Sequence, residues 1–149
     1  MNPILNYRVF FISYIIIWLI LAFVQIIILY IFFELSFLHA LMDGFISILI
    51  YSSTSLAVWY PVRFNPVERK NILRPISNII VTGIITVAIW VLVTFFILSN
   101  IISNENYLIF LKNSIPFRII VNSLVFIVLV LVYSLLIYNM NLKEKISNE

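Results

Sequence analysis

Four long apolar runs without a charged side chain constrain this chain more than any other feature. They extend over residues 9–33, 44–62, 76–98 and 119–140. A helix rises about 1.5 Å per residue, so about 20 apolar residues cross the hydrocarbon core of a bilayer. Inside that core no water satisfies the backbone N–H and C=O groups, which leaves helix as the form that each run must take. The sequence therefore predicts an all-α fold, a four-helix transmembrane bundle over residues 1–140.

The composition agrees with a membrane protein. Hydrophobic residues make up 64% of the chain and charged residues only 10%, against roughly 45–50% and 25% in soluble domains. A chain with so little polar surface cannot be wetted on all sides, so its first partner is expected to be the lipid bilayer. The cations lie in short segments between the apolar runs, so the net charge of +3 reflects membrane topology and does not indicate nucleic-acid binding.

Positive charges concentrate on one side of the predicted bundle. Seven of the nine cations lie on this side, and Lys112 and Arg118 lie on the opposite side. Because segments rich in Lys and Arg stay in the cytoplasm, we expect both termini and the loop over residues 63–75 to be cytoplasmic. The cations of the cytoplasmic side are Arg8, Arg63, Arg69, Lys70, Arg74, Lys143 and Lys145.

No catalytic or metal-binding motif is visible. The chain has no Cys, which excludes thiolate ligands and a Cys nucleophile. Its one His, His39, has only Glu34 and Asp43 nearby in sequence, fewer ligands than a structural zinc site needs. There is no Gly-rich phosphate loop, no Ser–His–Asp set and no carboxylate pair at catalytic spacing. We therefore expect no catalytic residue, no cofactor and no metal, and we expect His39 to be an exposed loop residue.

Hydroxyl side chains are concentrated in the second run, where residues 52–55 read Ser-Ser-Thr-Ser. Four consecutive hydroxyls cover most of a helix circumference, so some of them must face neighbouring helices. Such groups usually hold helices together, at about 0.6 kcal/mol each; the alternative is a hydrated pocket or a weak helix that lets the bundle switch. No ionisable residue falls near the midplane, and Glu34 and Asp43 are expected at span ends within reach of water. This pattern disfavours a proton-coupled transporter.

Arg118 opposes the charge trend at the outer mouth of the fourth run. One interpretation is that its guanidinium reaches lipid phosphate by snorkelling. The other is an ion pair with an acidic residue of the outer loops, worth up to about 1 kcal/mol if partly exposed and sufficient to bias a switch between two states. On this interpretation Arg118 and the three acidic residues are candidates for signal coupling, and Ser52 and Ser55 of the hydroxyl-rich stretch join them. The candidate signal-coupling residues are Arg118, Glu34, Asp43, Glu105, Ser52 and Ser55.

The fourth helix is expected to continue unbroken beyond the membrane. From residue 135 to residue 146 there is no Gly or Pro, and Leu, Lys and Glu are good helix formers. Residues 141–149 would then be the start of a cytoplasmic signalling linker helix. Four residues alternate at four- and three-residue steps, the spacing of a seam in a parallel homodimer, and they are Leu135, Asn139, Leu142 and Ile146.

Two segments also carry a family likeness. One is "LAVWYPVRF", which closes the second run, and the other is "FLKNSIPFRIIVNSLVFIVLVLVYSLLIYNMNLKEK", which forms the fourth run and its charged extension. They resemble the membrane region of LytS-type sensor histidine kinases of Bacteroidetes, and the resemblance covers most of the chain from the second run onward.

This resemblance implies the input domain of a sensor histidine kinase in the bacterial inner membrane. The fourth helix would lead to a cytoplasmic kinase domain that serves a response regulator. The family's phospho-acceptor motif and ATP-binding domain have no counterpart in these 149 residues, and His39 is expected on the side of the membrane opposite ATP. Because the loops are short, we expect a stimulus from within the membrane or from its outer surface. The alternatives are a small four-helix transporter or channel, and a membrane anchor or scaffold protein.

Overall fold

The computed structural model describes residues 2–65 and 72–148, and within these ranges the chain forms six helices and no strand. Four of the helices are long and apolar enough to cross a membrane, which confirms the predicted all-α transmembrane bundle. Two of the cations used to predict orientation, Arg69 and Lys70, lie outside the described residues, as does Glu149. The helices are α1 (Pro3–Asn6), α2 (Arg8–Ile31), α3 (Phe37–Phe64), α4 (Leu73–Ile101), α5 (Glu105–Asn113) and α6 (Ile115–Asn148).

The helices extend beyond the charge-free runs that predict them. α3 begins at Phe37, seven residues before the predicted span, because Ser36 caps it: the Ser36 hydroxyl accepts from the backbone N–H of His39 at 3.3 Å. α6 begins at Ile115 and continues without a break to Asn148. Charge-free runs mark only the part of a helix that lies in hydrocarbon, whereas caps and packing decide where the helix ends.

α3 is the central element of the bundle. It packs against α2, α4 and α6, and α4 also packs against α6. The buried face of α3 repeats every four residues through Asp43, Ser47, Tyr51, Ser55 and Trp59, because residues at that spacing share one face of a helix. A stripe of polar and aromatic side chains therefore runs along the buried face of α3.

Both glycines lie where two helices approach closely. A Cβ at Gly44 would stand 2.5 Å from the Ile26 side chain of α2, and one at Gly83 would stand 2.7 Å from the Phe126 ring of α6. These two positions therefore allow close contact of α3 with α2 and of α4 with α6.

Short segments cover both ends of the bundle. At one end Asn2, just before α1, donates from Nδ2 to the Leu56 carbonyl at 3.0 Å, and Ile4 is buried. At the other end the side chain of Asn104 caps α5, which directs Tyr107 and Leu111 into the bundle, where both are buried. On the predicted topology, α1 covers the cytoplasmic end and α5 the outer end.

Candidate functional site

Asp43 forms the centre of a buried polar cluster at the α5 end of the bundle. Its side chain is shielded from solvent. Oδ2 accepts from the hydroxyl of Tyr107 at 2.6 Å and from Nη2 of Arg118 at 2.5 Å. Oδ1 accepts from Nε2 of Gln25 and from the hydroxyl of Ser47, both at 3.3 Å. Each carboxylate oxygen therefore has two donors, which is what a buried charge requires.

Arg118 completes this cluster from α6. Only 7% of its side chain is exposed. Nε donates to the hydroxyl of Ser114 at 3.0 Å, and Nη1 lies 3.5 Å from the hydroxyl of Ser47. The guanidinium faces into the bundle. Of the two interpretations of Arg118, the structure therefore agrees with pairing with Asp43 and not with snorkelling to lipid phosphate. We call Gln25, Asp43, Ser47, Tyr107, Ser114 and Arg118 the outer cluster.

The burial of Asp43 contradicts what the sequence pattern led us to expect. Asp43 was expected at a span end within reach of water, in a membrane domain with no ionisable group near the midplane. It lies six residues into α3, about 9 Å along the helix axis, and is fully buried. The physical reason is that α3 begins at Phe37 and α5 folds over this end, which encloses side chains that four bare helices would leave at the interface. The lack of a buried carboxylate therefore cannot be used against a transport function.

The other charged candidates lie outside the outer cluster. Glu34 and Glu105 are exposed, and the only ion pair among the described residues is that of Arg118 with Asp43. Glu34 adopts a left-handed backbone conformation, with φ of 55°, in the turn between α2 and α3. His39 lies in the first turn of α3, partly buried with its ring 5.4 Å from that of Tyr107, so the expectation of an exposed loop histidine is wrong.

Tyr107 is held as a neutral hydrogen-bond donor. Burial raises the pKa of Tyr107 far above its ordinary value, and the negative charge of Asp43 raises it further. The hydroxyl therefore keeps its proton at any physiological pH, and α5 stays attached to the carboxylate of α3.

Ser52 and Ser55 belong to a second cluster, deeper in the bundle. The hydroxyl of Tyr14 bonds to the hydroxyl of Ser55 and to the carbonyl of Ser52, and the hydroxyl of Tyr133 donates to the carbonyl of Ser55 at 2.8 Å. These serines follow Asp43 by nine and twelve residues, about 14–18 Å along α3. They join α2 and α6 to α3 as packing contacts, and they do not contact the outer cluster.

The seam residues lie on the extended end of α6. Leu135, Asn139, Leu142 and Ile146 are all exposed, so their side chains are accessible to a partner helix. The parallel dimer itself stays a prediction. Within the chain, Nη1 of Arg63 at the end of α3 donates to Oδ1 of Asn141 at 3.3 Å.

The sequence patterns do not single out four members of the outer cluster as site residues: Gln25, Ser47, Tyr107 and Ser114. A signal for Tyr107 existed, because Asn104 is a good N-cap for the segment that follows and Tyr107 shares a helix face with Leu111. Ser114 precedes Arg118 by four residues, which places it one turn away on the same face. Gln25 stands out only as the lone amide of an otherwise apolar run.

Among residues 2–65 and 72–148, no three His, Asp or Glu side chains come close enough to hold a metal ion. Comparison with protein-family models, with curated proteins and with solved structures finds no match.

Proposed function

We propose that this chain is the membrane input domain of a sensor histidine kinase, in which α6 carries a change at the outer cluster to the cytoplasm. One observation carries the proposal: Arg118, which pairs with Asp43, lies on the same unbroken helix as the exposed segment that ends at Asn148. That the output is a kinase domain, with a response regulator beyond it, rests on the resemblance to LytS-type kinases. The cytoplasmic location of both termini rests on the distribution of Lys and Arg.

The outer cluster joins four elements at one point. Gln25 belongs to α2, Asp43 to α3, Tyr107 to α5 and Arg118 to α6. A stimulus that moves α2 or α5 therefore changes the bonds that hold α6. Removing one partner of a buried ion pair costs about 3–5 kcal/mol, which is as large as the few kcal/mol that separate the states of a typical two-state protein. The pair is strong enough to favour one position of α6 over another.

The length of α6 supports a role in output. Its 34 residues span about 51 Å, about 20 Å more than the hydrocarbon core requires. From residue 138 to residue 148 every described side chain is exposed. We propose that this end of α6 pairs with a second copy through Leu135, Asn139, Leu142 and Ile146. Displacements of one or two angstroms between paired helices are typical of such switches.

Cysteine crosslinking in membranes tests both parts of the proposal, because the native chain has no Cys. Single cysteines at Leu142 or Ile146 on the seam should bridge two copies several times more efficiently than cysteines at Lys143 or Ser147. Adding Arg118→Gln should change that ratio, since the substitution releases α6 from Asp43. Lys112→Gln, which removes an exposed charge of α5, is the matched control and should leave the ratio unchanged.

Equal crosslinking at all four positions would show that the end of α6 is a flexible tether. An unchanged ratio in the Arg118→Gln variant would show that the outer cluster does not control α6, and would favour a membrane anchor or scaffold.

A small transporter is a second candidate, because a cavity of about 140 Å³ between α2 and α6 is lined by Gln25 and Arg118 of the outer cluster. A proton-coupled transporter needs a carboxylate that can exchange protons, whereas both oxygens of Asp43 are occupied by donors. Solute uptake by proteoliposomes that is lost in the Asp43→Asn variant would favour transport over signal input.

A further inference from the structure

A cleft runs between α2 and α6 along much of their length. It contains a cavity of about 140 Å³ beside Arg118 and a second of about 250 Å³ deeper in the bundle. Trp18, Leu21 and Val125 line both cavities, so the two are neighbouring parts of one elongated space with apolar walls.

The mouth of the cavity beside Arg118 opens to lipid. Val24, Phe117 and Val121 line it and are 46%, 42% and 37% exposed, respectively. All three belong to helices that cross the membrane. Gln25 lies six residues before the end of α2, and Asn122 lies seven residues after the start of α6, so both are about 10 Å from the outer helix ends. A molecule that enters from the bilayer therefore meets polar groups below the membrane surface.

The closed end of the cavity offers a neutral hydrogen-bond donor. Tyr51 and Asn122 both line it, and Nδ2 of Asn122 donates to the hydroxyl of Tyr51 at 3.3 Å. The Tyr51 ring packs against Trp90, with the ring centroids 5.1 Å apart, which fixes its position. In the described part of the chain no acceptor takes the hydroxyl hydrogen of Tyr51. That hydrogen is available to an oxygen atom of a ligand.

Charge restricts the ligand to an uncharged one. The positive charge of Arg118 is already matched by Asp43, so a bound carboxylate or phosphate would add an unmatched negative charge in a region of low dielectric constant. The charged head of a phospholipid would also have to move about 10 Å below the membrane surface. A carbonyl, ester or hydroxyl group avoids both costs.

We propose that this cleft is a binding site for an uncharged amphiphile taken up from the membrane. Its oxygen atom bonds to Tyr51 and Asn122, and its apolar chain lies along Trp18 and Leu21. The assignment rests on the cavity and its lining, and it holds whatever output α6 serves. In an input domain, such a ligand would act as the stimulus, because it would separate α2 from α6 at the level of the outer cluster.

Quenching of Trp18 fluorescence tests the proposal, because bromine atoms on a bound chain quench a tryptophan that they touch. Wild type and Trp18→Phe in lipid nanodiscs would be titrated with three long-chain dibrominated probes: a fatty alcohol, the corresponding fatty acid at alkaline pH, and a phosphatidylcholine. We expect saturable quenching by the alcohol that is absent in Trp18→Phe. Half-saturation should need at least about tenfold less alcohol than fatty acid or phospholipid, equivalent to 1.4 kcal/mol.

Two variants locate the site. Tyr51→Phe keeps the ring and removes the hydroxyl, so half-saturation should shift about five- to tenfold upward, the value of one hydrogen bond. Val121→Phe should block the mouth and abolish saturable quenching. Leu124→Phe, on an exposed position of α6 outside the cavity lining, is the control and should bind like wild type.

Quenching that rises linearly for all three probes would mean that bulk lipid fills the cleft. Equal or tighter binding of phospholipid or fatty acid would overturn the assignment to an uncharged head. Wild-type binding by folded Tyr51→Phe and Val121→Phe proteins, with helix content checked by circular dichroism, would overturn the location.

Discussion

Removing either partner of the buried Asp43–Arg118 pair should destabilise the bundle. Asp43→Asn leaves the guanidinium of Arg118 buried without a negative partner, because the neutral Asn side chain and the hydroxyls of Ser114 and Ser47 are the acceptors that remain in this cluster. A guanidinium cannot lose its proton in a protein, so the charge stays uncompensated. The free energy of unfolding should fall by about 3–5 kcal/mol.

Arg118→Gln leaves Asp43 with three donors, Tyr107, Gln25 and Ser47. All three are neutral, so the negative charge of Asp43 stays uncompensated and the free energy of unfolding should again fall by about 3–5 kcal/mol.

The assay is unfolding by sodium dodecyl sulfate in mixed micelles, followed by circular dichroism, for wild type, both single variants and the double variant. The double variant, Asp43→Asn with Arg118→Gln, carries neither charge and should recover most of the lost stability. Lys112→Gln controls for the loss of a charge at the surface. Losses no larger than that of Lys112→Gln in the two single variants, or additive losses in the double variant, would refute the view that uncompensated buried charge determines stability here.

Three further substitutions can be measured in the same assay. Glu34→Gly should raise the free energy of unfolding by about 1 kcal/mol, because residue 34 has a φ of 55° and glycine adopts that conformation without steric cost. Gly83→Leu should lower it by about 1–3 kcal/mol, because the new side chain meets the Phe126 ring. The raised pKa of Tyr107 means that its contribution is complete below about pH 10 and is lost as the pH rises further. Tyr107→Phe should therefore reduce the fall in stability at alkaline pH.

The four spans could be predicted because the requirement behind them is local. A charge-free run of sufficient length has no other stable form in hydrocarbon, whatever its neighbours do. The covering helices could not be predicted in this way. α5 has only nine residues, too few to be stable alone, and it depends on the burial of Tyr107 and Leu111 against the bundle.

The outer cluster was only half visible in the sequence. Arg118 stood out as a cation on the wrong side, but three acidic residues were equal candidates for its partner. The choice depends on where α3 begins, since a helix that begins at Phe37 includes Asp43 and places it on the same face as Ser47 and Tyr51. The four-residue repeat along α3 was a usable signal for this burial, whereas position relative to the apolar run suggested exposure.

Whether the outer cluster governs the cytoplasmic end of α6 can be tested directly by double electron–electron resonance. Spin labels at Phe64 and Ser147, both exposed, report the distance between the end of α3 and the end of α6. Wild type and Lys112→Gln should give one narrow distribution at the same distance. Asp43→Asn and Arg118→Gln should each shift or broaden it, because α6 is no longer held by α3 at its outer end. Identical distributions in all four proteins would contradict the proposal that α6 transmits a change from the outer cluster.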